Sequence, residues 1–131
     1  LDAALDFYGQ IFQFTLRGRS ETAVFIDLGD QFLQFSLGKT QDADERRHFG
    51  LVVDDRAAGR ARLDAMGVEI FERLNFRDPW GKRVEVVPYD NIQSTKAPAV
   101  LAAMGAGEIA KTPAAMEELR AKGIWREDDA P

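Results

Sequence analysis

Apolar residues at Leu1, Ala4, Leu5, Tyr8 and Phe12 recur at helical spacing, and Phe7 and Ile11 widen the stripe. Residues 2–12 therefore read as a helix whose aromatics face a core. The period then falls to two. Residues 14–17 form a short strand and 18–20 a turn. Residues 23–28 are β-branched and aromatic, Gly29-Asp30 is a hairpin signal, and 31–37 return. In the returning strand Leu33, Phe35 and Leu37 share one face, while Phe32, Gln34 and Ser36 share the other. That second, mixed face suits a sheet lining a wet cavity. Residues 38–47 are polar and predict a loop with solvated charges.

The pattern then begins again. Residues 48–53 are a strand. Asp54 or Asp55 caps a helix running to Met66, and Gly67 stands at its C′ position. Residues 68–73 and 75–77 are strands, Asp78-Pro79-Trp80-Gly81 is a β-turn, and residues 82–87 form the last strand. Helix–strand–strand–strand is thus followed by strand–helix–strand–strand–strand. Element order repeats with a period of about 50 residues, and the first copy lacks its first strand. Residues 88–96 are irregular. Pro98 opens a helix with Val100, Leu101 and Met104 that stops at Gly105. Thr112-Pro113 opens another with Met116 and Leu119 inward, closed by Gly123 and Ile124, and 126–131 read as a frayed tail. The organisation is α+β: one domain over 1–96, with modules at 1–37 and 48–88, and a helical extension over 97–131.

Length and composition narrow the function. A chain of 131 residues with 45% apolar content and 9 Phe fills one core without a metal or disulfide. The absence of cysteine excludes thiol catalysis, iron–sulfur clusters and Cys-based zinc sites, and suits a reducing cytoplasm. A net charge of −5 argues against a broad nucleic-acid surface. No apolar run approaches the ~20 residues of a membrane span. The opening Leu-Asp-Ala-Ala-Leu-Asp does not read as a signal peptide, and it lies inside a helix, as if a segment preceded it.

Two residues stand out chemically. His48 is the sole histidine, and alternation sets His48, Gly50 and Val52 on the face opposite Phe49, Leu51 and Val53. The following helix suits the second face, which leaves His48 on the open one. In the last strand Glu85 lies between Val84 and Val86 and shares a face with Arg83 and Val87. A carboxylate flanked by valines must be paired, hydrated or metal-bound. If the two strands are neighbours, His48 and Glu85 meet as an acid–base pair or as half of a divalent-metal site. The plain alternatives are an ordinary strand-end histidine and a rim salt bridge from Glu85 to Arg83 or Lys82.

The segments His48-Phe-Gly-Leu-Val-Val-Asp-Asp, Met66-Gly67-Val68 and Asn75-Phe-Arg-Asp-Pro-Trp-Gly-Lys-Arg-Val-Glu-Val, with Phe7-Tyr8 and Ile11 in the first helix, resemble the vicinal-oxygen-chelate superfamily. That group includes glyoxalase I, bleomycin- and fosfomycin-resistance proteins and extradiol dioxygenases. The resemblance implies paired βαβββ modules curled into a U-shaped cleft, with a divalent metal held from the first and fourth strands of each module. His48 and Glu85 match the ligand positions of module two, and Gln34 lies near the fourth-strand position of module one. The implied functions are a metal-dependent lyase, isomerase or dioxygenase, with Glu85 as ligand or base, acting on a small oxygen-chelating substrate, or a non-catalytic binding protein of the drug-sequestering kind. In the latter Phe32, Phe76, Trp80 and Tyr89 are candidate cleft aromatics. A strand missing from module one exposes hydrogen-bonding edges, so a homodimer is expected.

Overall fold

The computed structural model describes residues 1–125; the tail expectation falls on 126–131, outside the described residues. Helix α1 (Asp2–Ile11) is followed by β1 (Thr15–Arg19), β2 (Ala23–Asp27) and β3 (Phe32–Ser36), then β4 (His48–Val53), α2 (Arg56–Ala65), β5 (Ile70–Phe71), β6 (Asn75–Arg77) and β7 (Arg83–Pro88). A 3-10 turn at Tyr89–Asn91 leads to α3 (Pro98–Ala103) and α4 (Pro113–Ala121). The first sheet has order β1-β2-β3, all antiparallel. The second has order β4-β7-β6-β5, with β4 parallel to β7 and the rest antiparallel. The second module is thus a βαβββ unit, and the first is the same unit without a parallel neighbour for β3.

Local chemistry sets most boundaries and corrects two. Asp55, rather than Asp54, caps α2: its carboxylate accepts from the Ala58 amide at 2.9 Å. Gly67 takes φ +66°, and Val68 N–H returns to Leu63 O at 3.0 Å, closing the helix as a C′ glycine does. β1 runs to Arg19 instead of ending at residue 17, because a bulge leaves Arg17 unpaired and pairing with β2 resumes at Gly18. The turn moves to residues 20–22, where Ser20 Oγ accepts from the amides of Thr22 and Ala23 at 3.3 and 3.1 Å. The strand expected over 68–73 shrinks to Ile70–Phe71 because Glu72 adopts φ +52° and turns the chain back.

The core lies between the helices and one face of each sheet. Leu51, Leu63, Phe76, Val84 and Val86 are buried together, with Gly59 of α2 packed over Val86. Helix α1 touches both sheets: the Tyr8 ring lies 4.7 Å from Phe35, and Phe7 lies 6.1 Å from Phe76. A buried hydrogen bond joins the modules. Tyr8 Oη donates to Asp78 at 3.0 Å, while the same carboxylate accepts from the amides of Trp80 and Lys82 at 3.0 and 2.8 Å. Burial, reinforced by that carboxylate, pushes the Tyr8 phenol well above its ordinary range.

The segment after β7 folds back over the domain. Lys111 Nζ donates to the carbonyls of Tyr89, Ile92 and Ser94 at 2.5, 3.0 and 3.0 Å and stands 3.6 Å above the Tyr89 ring. Lys96 pairs with Asp30 at the β2–β3 turn, and Val100 and Met104 pack over Gly29. Among the described residues no helix is long and apolar enough to cross a membrane.

Candidate metal centre

Val84 and Val86 of β7 are buried in the core that α2 covers, so the alternate residues of β4 and β7 form the helix-free face. The parallel register sets His48 opposite Arg83 and Gly50 opposite Glu85. His48 therefore lies diagonally across from Glu85 on one face, with Nε2 and Oε2 3.3 Å apart. Their side chains are 39% and 21% exposed, so both are accessible to a ligand. Gly50, opposite Glu85 in the register, leaves room for Val87: a Cβ there would press on it at 3.0 Å.

The other imidazole nitrogen also has a partner. Nδ1 lies 3.1 Å from the Arg46 carbonyl oxygen. Both ring nitrogens thus face oxygen acceptors, and which of them donates depends on the tautomer. The carboxylate beside Nε2 is satisfied by a proton or by a metal ion.

The surroundings are polar and held in place. Arg83 is buried, donates to Asn75 Oδ1 at 3.0 Å and Glu72 Oε2 at 2.5 Å, and stacks over Phe71 at 5.1 Å. The left-handed backbone of Glu72, which costs about 1–2 kcal/mol for a non-glycine residue, is fixed by this ion pair. His48, Glu72, Arg73, Asn75, Arg83 and Glu85 line a cavity of about 490 Å³. A second cavity of about 240 Å³ lies along Gln41, Asp44, Arg47, His48, Phe49 and Lys82. His48 borders both.

The structure brings His48 and Glu85 together. Gln34 lies on the exposed face of β3, in the other sheet, where its amide donates to Ser36 Oγ at 2.8 Å. It holds in β3 the third place that Glu85 holds in β7. The expected aromatic lining is corrected. Phe76 is fully buried on the helix side, because it pairs with Val84 rather than with a cleft residue. Tyr89 is buried beneath Lys111, Trp80 is half-buried at its turn, and only Phe32 is freely exposed, with the Arg17 guanidinium 5.0 Å from its ring. The loop is corrected too: Asp44 is not solvated but 10% exposed, paired with Arg47 at 3.2 Å and Lys82 at 3.5 Å. Sequence reasoning missed Asn75 and Glu72. Alternation put Arg83 beside Glu85, but only the tight β5–β6 turn brings Glu72 to take that arginine instead.

The donor set suits a divalent ion in part. A nitrogen and a carboxylate oxygen 3.3 Å apart have the span of two donors sharing one ion through bonds of roughly 2.0–2.2 Å. Among the described residues no group of three or more His, Asp or Glu side chains converges. This pair fits two coordination positions and leaves the others to water, a ligand or an amide.

Two sheets backed by helices, with an imidazole–carboxylate pair on the open face of the second, define an α+β protein of paired-module type. The chain belongs to the Glyoxalase/Bleomycin resistance protein/Dioxygenase superfamily, whose profile matches residues 1–91. Solved structures share the fold. A glyoxalase-family protein from Bacillus anthracis is 20% identical, with TM-score 0.56 over 66% of this chain and 82% of that one. Fosfomycin resistance protein FosX from Mesorhizobium loti is 16% identical, with TM-score 0.56 over 66% and 81%. Lactoylglutathione lyase from Agrobacterium tumefaciens is 24% identical, with TM-score 0.53 over 68% and 85%. No curated protein matches the chain in sequence.

Proposed function

We propose that the cleft binds one divalent metal ion through His48 Nε2 and Glu85 Oε2 and turns over a small substrate that carries two neighbouring oxygens, as a lyase, isomerase or dioxygenase. The single observation that carries this reading is the imidazole–carboxylate pair, 3.3 Å apart, bordering a cavity of about 490 Å³. When bound, the ion supplies Lewis acidity toward a developing oxyanion. The protein's part is to orient the His48 ring through the Arg46 carbonyl and to keep Glu85 free by engaging Arg83 elsewhere. Gln34 is the module-one donor in this proposal. The fold shared with a lactoylglutathione lyase is compatible with it. A cytoplasmic homodimer is part of the same reading.

Metal content after purification in chelator-free buffer tests it. About one equivalent of a divalent ion is expected, with loss in His48→Ala and Glu85→Gln. Added Ni(II) or Mn(II) at about 100 times Kd should raise the wild-type unfolding free energy by ~2.7 kcal/mol. A carboxylate is a better donor than an amide, so Gln34→Glu should tighten binding, and unchanged affinity removes Gln34 from the set. Wild-type protein that neither carries nor responds to any of these ions overturns the metal reading. The alternative is a ligand-binding module without turnover. It is favoured by the convergence of only two ionisable donors among the described residues.

A further inference from the structure

Asn75 is the most deeply buried residue lining the cavity of about 490 Å³, at 2% exposure, and its amide is engaged on one side only. Its partner across the β6–β7 pairing is Glu85, so both side chains lie on the helix-free face. Arg83 Nε donates to Asn75 Oδ1 at 3.0 Å. A guanidinium has only donors, so the amide oxygen must face Arg83 and Nδ2 must point away from it. Nδ2 has no hydrogen-bond partner among the described residues. It is not sealed off either: among the described residues, the one side-chain nitrogen or oxygen that is both enclosed and unpartnered is Gln31 Nε2. Asn75 Nδ2 therefore opens onto the cavity. Arg73 lines the same cavity from the tight β5–β6 turn. Its carbonyl accepts from Arg60 Nη2 at 3.3 Å, but its exposed guanidinium has no hydrogen bond or ion pair among the described residues. Arg83 is neutralised by Glu72, and Glu85 has His48 beside it at 3.3 Å. Arg73 is thus the cation of this cavity that has no carboxylate of its own.

We propose that Asn75 and Arg73 hold the carboxylate of an anionic substrate, Asn75 by a hydrogen bond from Nδ2 and Arg73 by its guanidinium, and that this substrate is an α-oxo or α-hydroxy carboxylate. The proposal deepens the reading of a small substrate with two neighbouring oxygens, and it rests on that reading for the second oxygen. In such a molecule the α-oxygen and one carboxylate oxygen are the neighbouring pair on the His48–Glu85 side. The other carboxylate oxygen is left for Asn75 and Arg73. A buried donor held in one orientation by Arg83 gives direction to the contact, since a cavity of this kind takes its specificity from a few fixed polar groups. The arginine gives charge selection, because its fork matches the geometry of a carboxylate.

Sodium pyruvate is the probe, and its uncharged counterpart pyruvamide is the control. Each is titrated at constant ionic strength into the chelator-treated protein, and again with Zn(II) present, while ¹H–¹⁵N spectra are recorded. Pyruvate should move the side-chain amide signals of Asn75 saturably in at least one of the two states, and pyruvamide should bind about tenfold more weakly or not at all. Arg73→Gln, a change at an exposed position, should weaken pyruvate binding by about tenfold, and Arg73→Lys should recover part of the loss. Asn75→Asp still offers Arg83 Nε an acceptor but has no donor for the ligand, so it should lose the pyruvate response while staying folded. A merely structural Asn75 would leave that variant binding as wild type does. If Asn75→Asp does not fold, the wild-type amide signals and Arg73→Gln still decide. Asn75 signals that stay still in both states, equal affinity for pyruvamide, or unchanged affinity in Arg73→Gln overturns the proposal. Zn(II) alone, followed through the melting temperature, tests the metal reading separately. Zn(II) binding without a pyruvate response leaves the metal reading standing and removes the carboxylate site, and a pyruvate response without Zn(II) binding does the reverse.

Discussion

Asp78 carries three hydrogen bonds on one buried carboxylate, and one of its donors, Tyr8, is 70 residues away in the first helix. The bond replaces solvent for a charged group at the seam of the two modules. Tyr8→Phe removes one donor and leaves the charge partly unsatisfied, so it should lower the unfolding free energy by about 1.5–3 kcal/mol, read from urea denaturation. Asp78→Asn should lower it further, because two backbone amides then share an acceptor that is no longer charged. A Tyr8→Phe midpoint equal to wild type would show that water replaces the phenol. Turn chemistry made Asp78 legible as the first residue of its β-turn, and helical spacing made Tyr8 legible as core. Their partnership was not legible, because no local pattern reports a contact between a first-helix hydroxyl and a distant turn.

At the scale of elements, strands and helices followed from periodicity wherever side chains decided the conformation. They failed where one backbone did. Glu72 at φ +52° cut the expected 68–73 strand to two residues, and Ser20 moved a turn. The irregular 88–96 segment shows a similar dependence on one group. Its Tyr89, Ile92 and Ser94 carbonyls converge on Lys111, beyond the reach of any sequence pattern. Burial draws the Lys111 amine down to about 8, with Asp90 opposing and Lys96 assisting. The unfolded chain therefore binds a proton here that the folded chain releases between about 8 and the ordinary lysine value of 10.5. Over that window stability should rise with pH in the wild type relative to Lys111→Met, which has no group to titrate. Thermal melts of the two proteins from pH 8 to 10 check this. A constant difference between them would place the lysine at its ordinary value.

Across the whole molecule, the repeat that alternation revealed has an asymmetry with consequences. In module two β7 is flanked by β4 and β6; in module one β3 has β2 on one side and no second strand among the described residues. The site was half legible for the same reason. His48 and Glu85 sit in the complete module, where strand alternation and one parallel pairing were enough to bring them together, whereas Gln34 lies on the sheet that stops at β3. Backbone donors and acceptors along a free edge favour pairing with another strand. Phe32 and Leu37, at the two ends of that edge, are 55% and 58% exposed. A second copy of the chain is the partner we propose for it. Sedimentation equilibrium should find a dimer at micromolar concentration, and the paired change Phe32→Glu with Leu37→Glu should shift it toward monomer without lowering the midpoint of unfolding measured on the dilute monomer. A dimer indifferent to both charges would put the contact on another surface. A wild type that stays monomeric throughout the concentration range would mean that the β3 edge is left to solvent, and that any metal site is built from one copy of the chain alone.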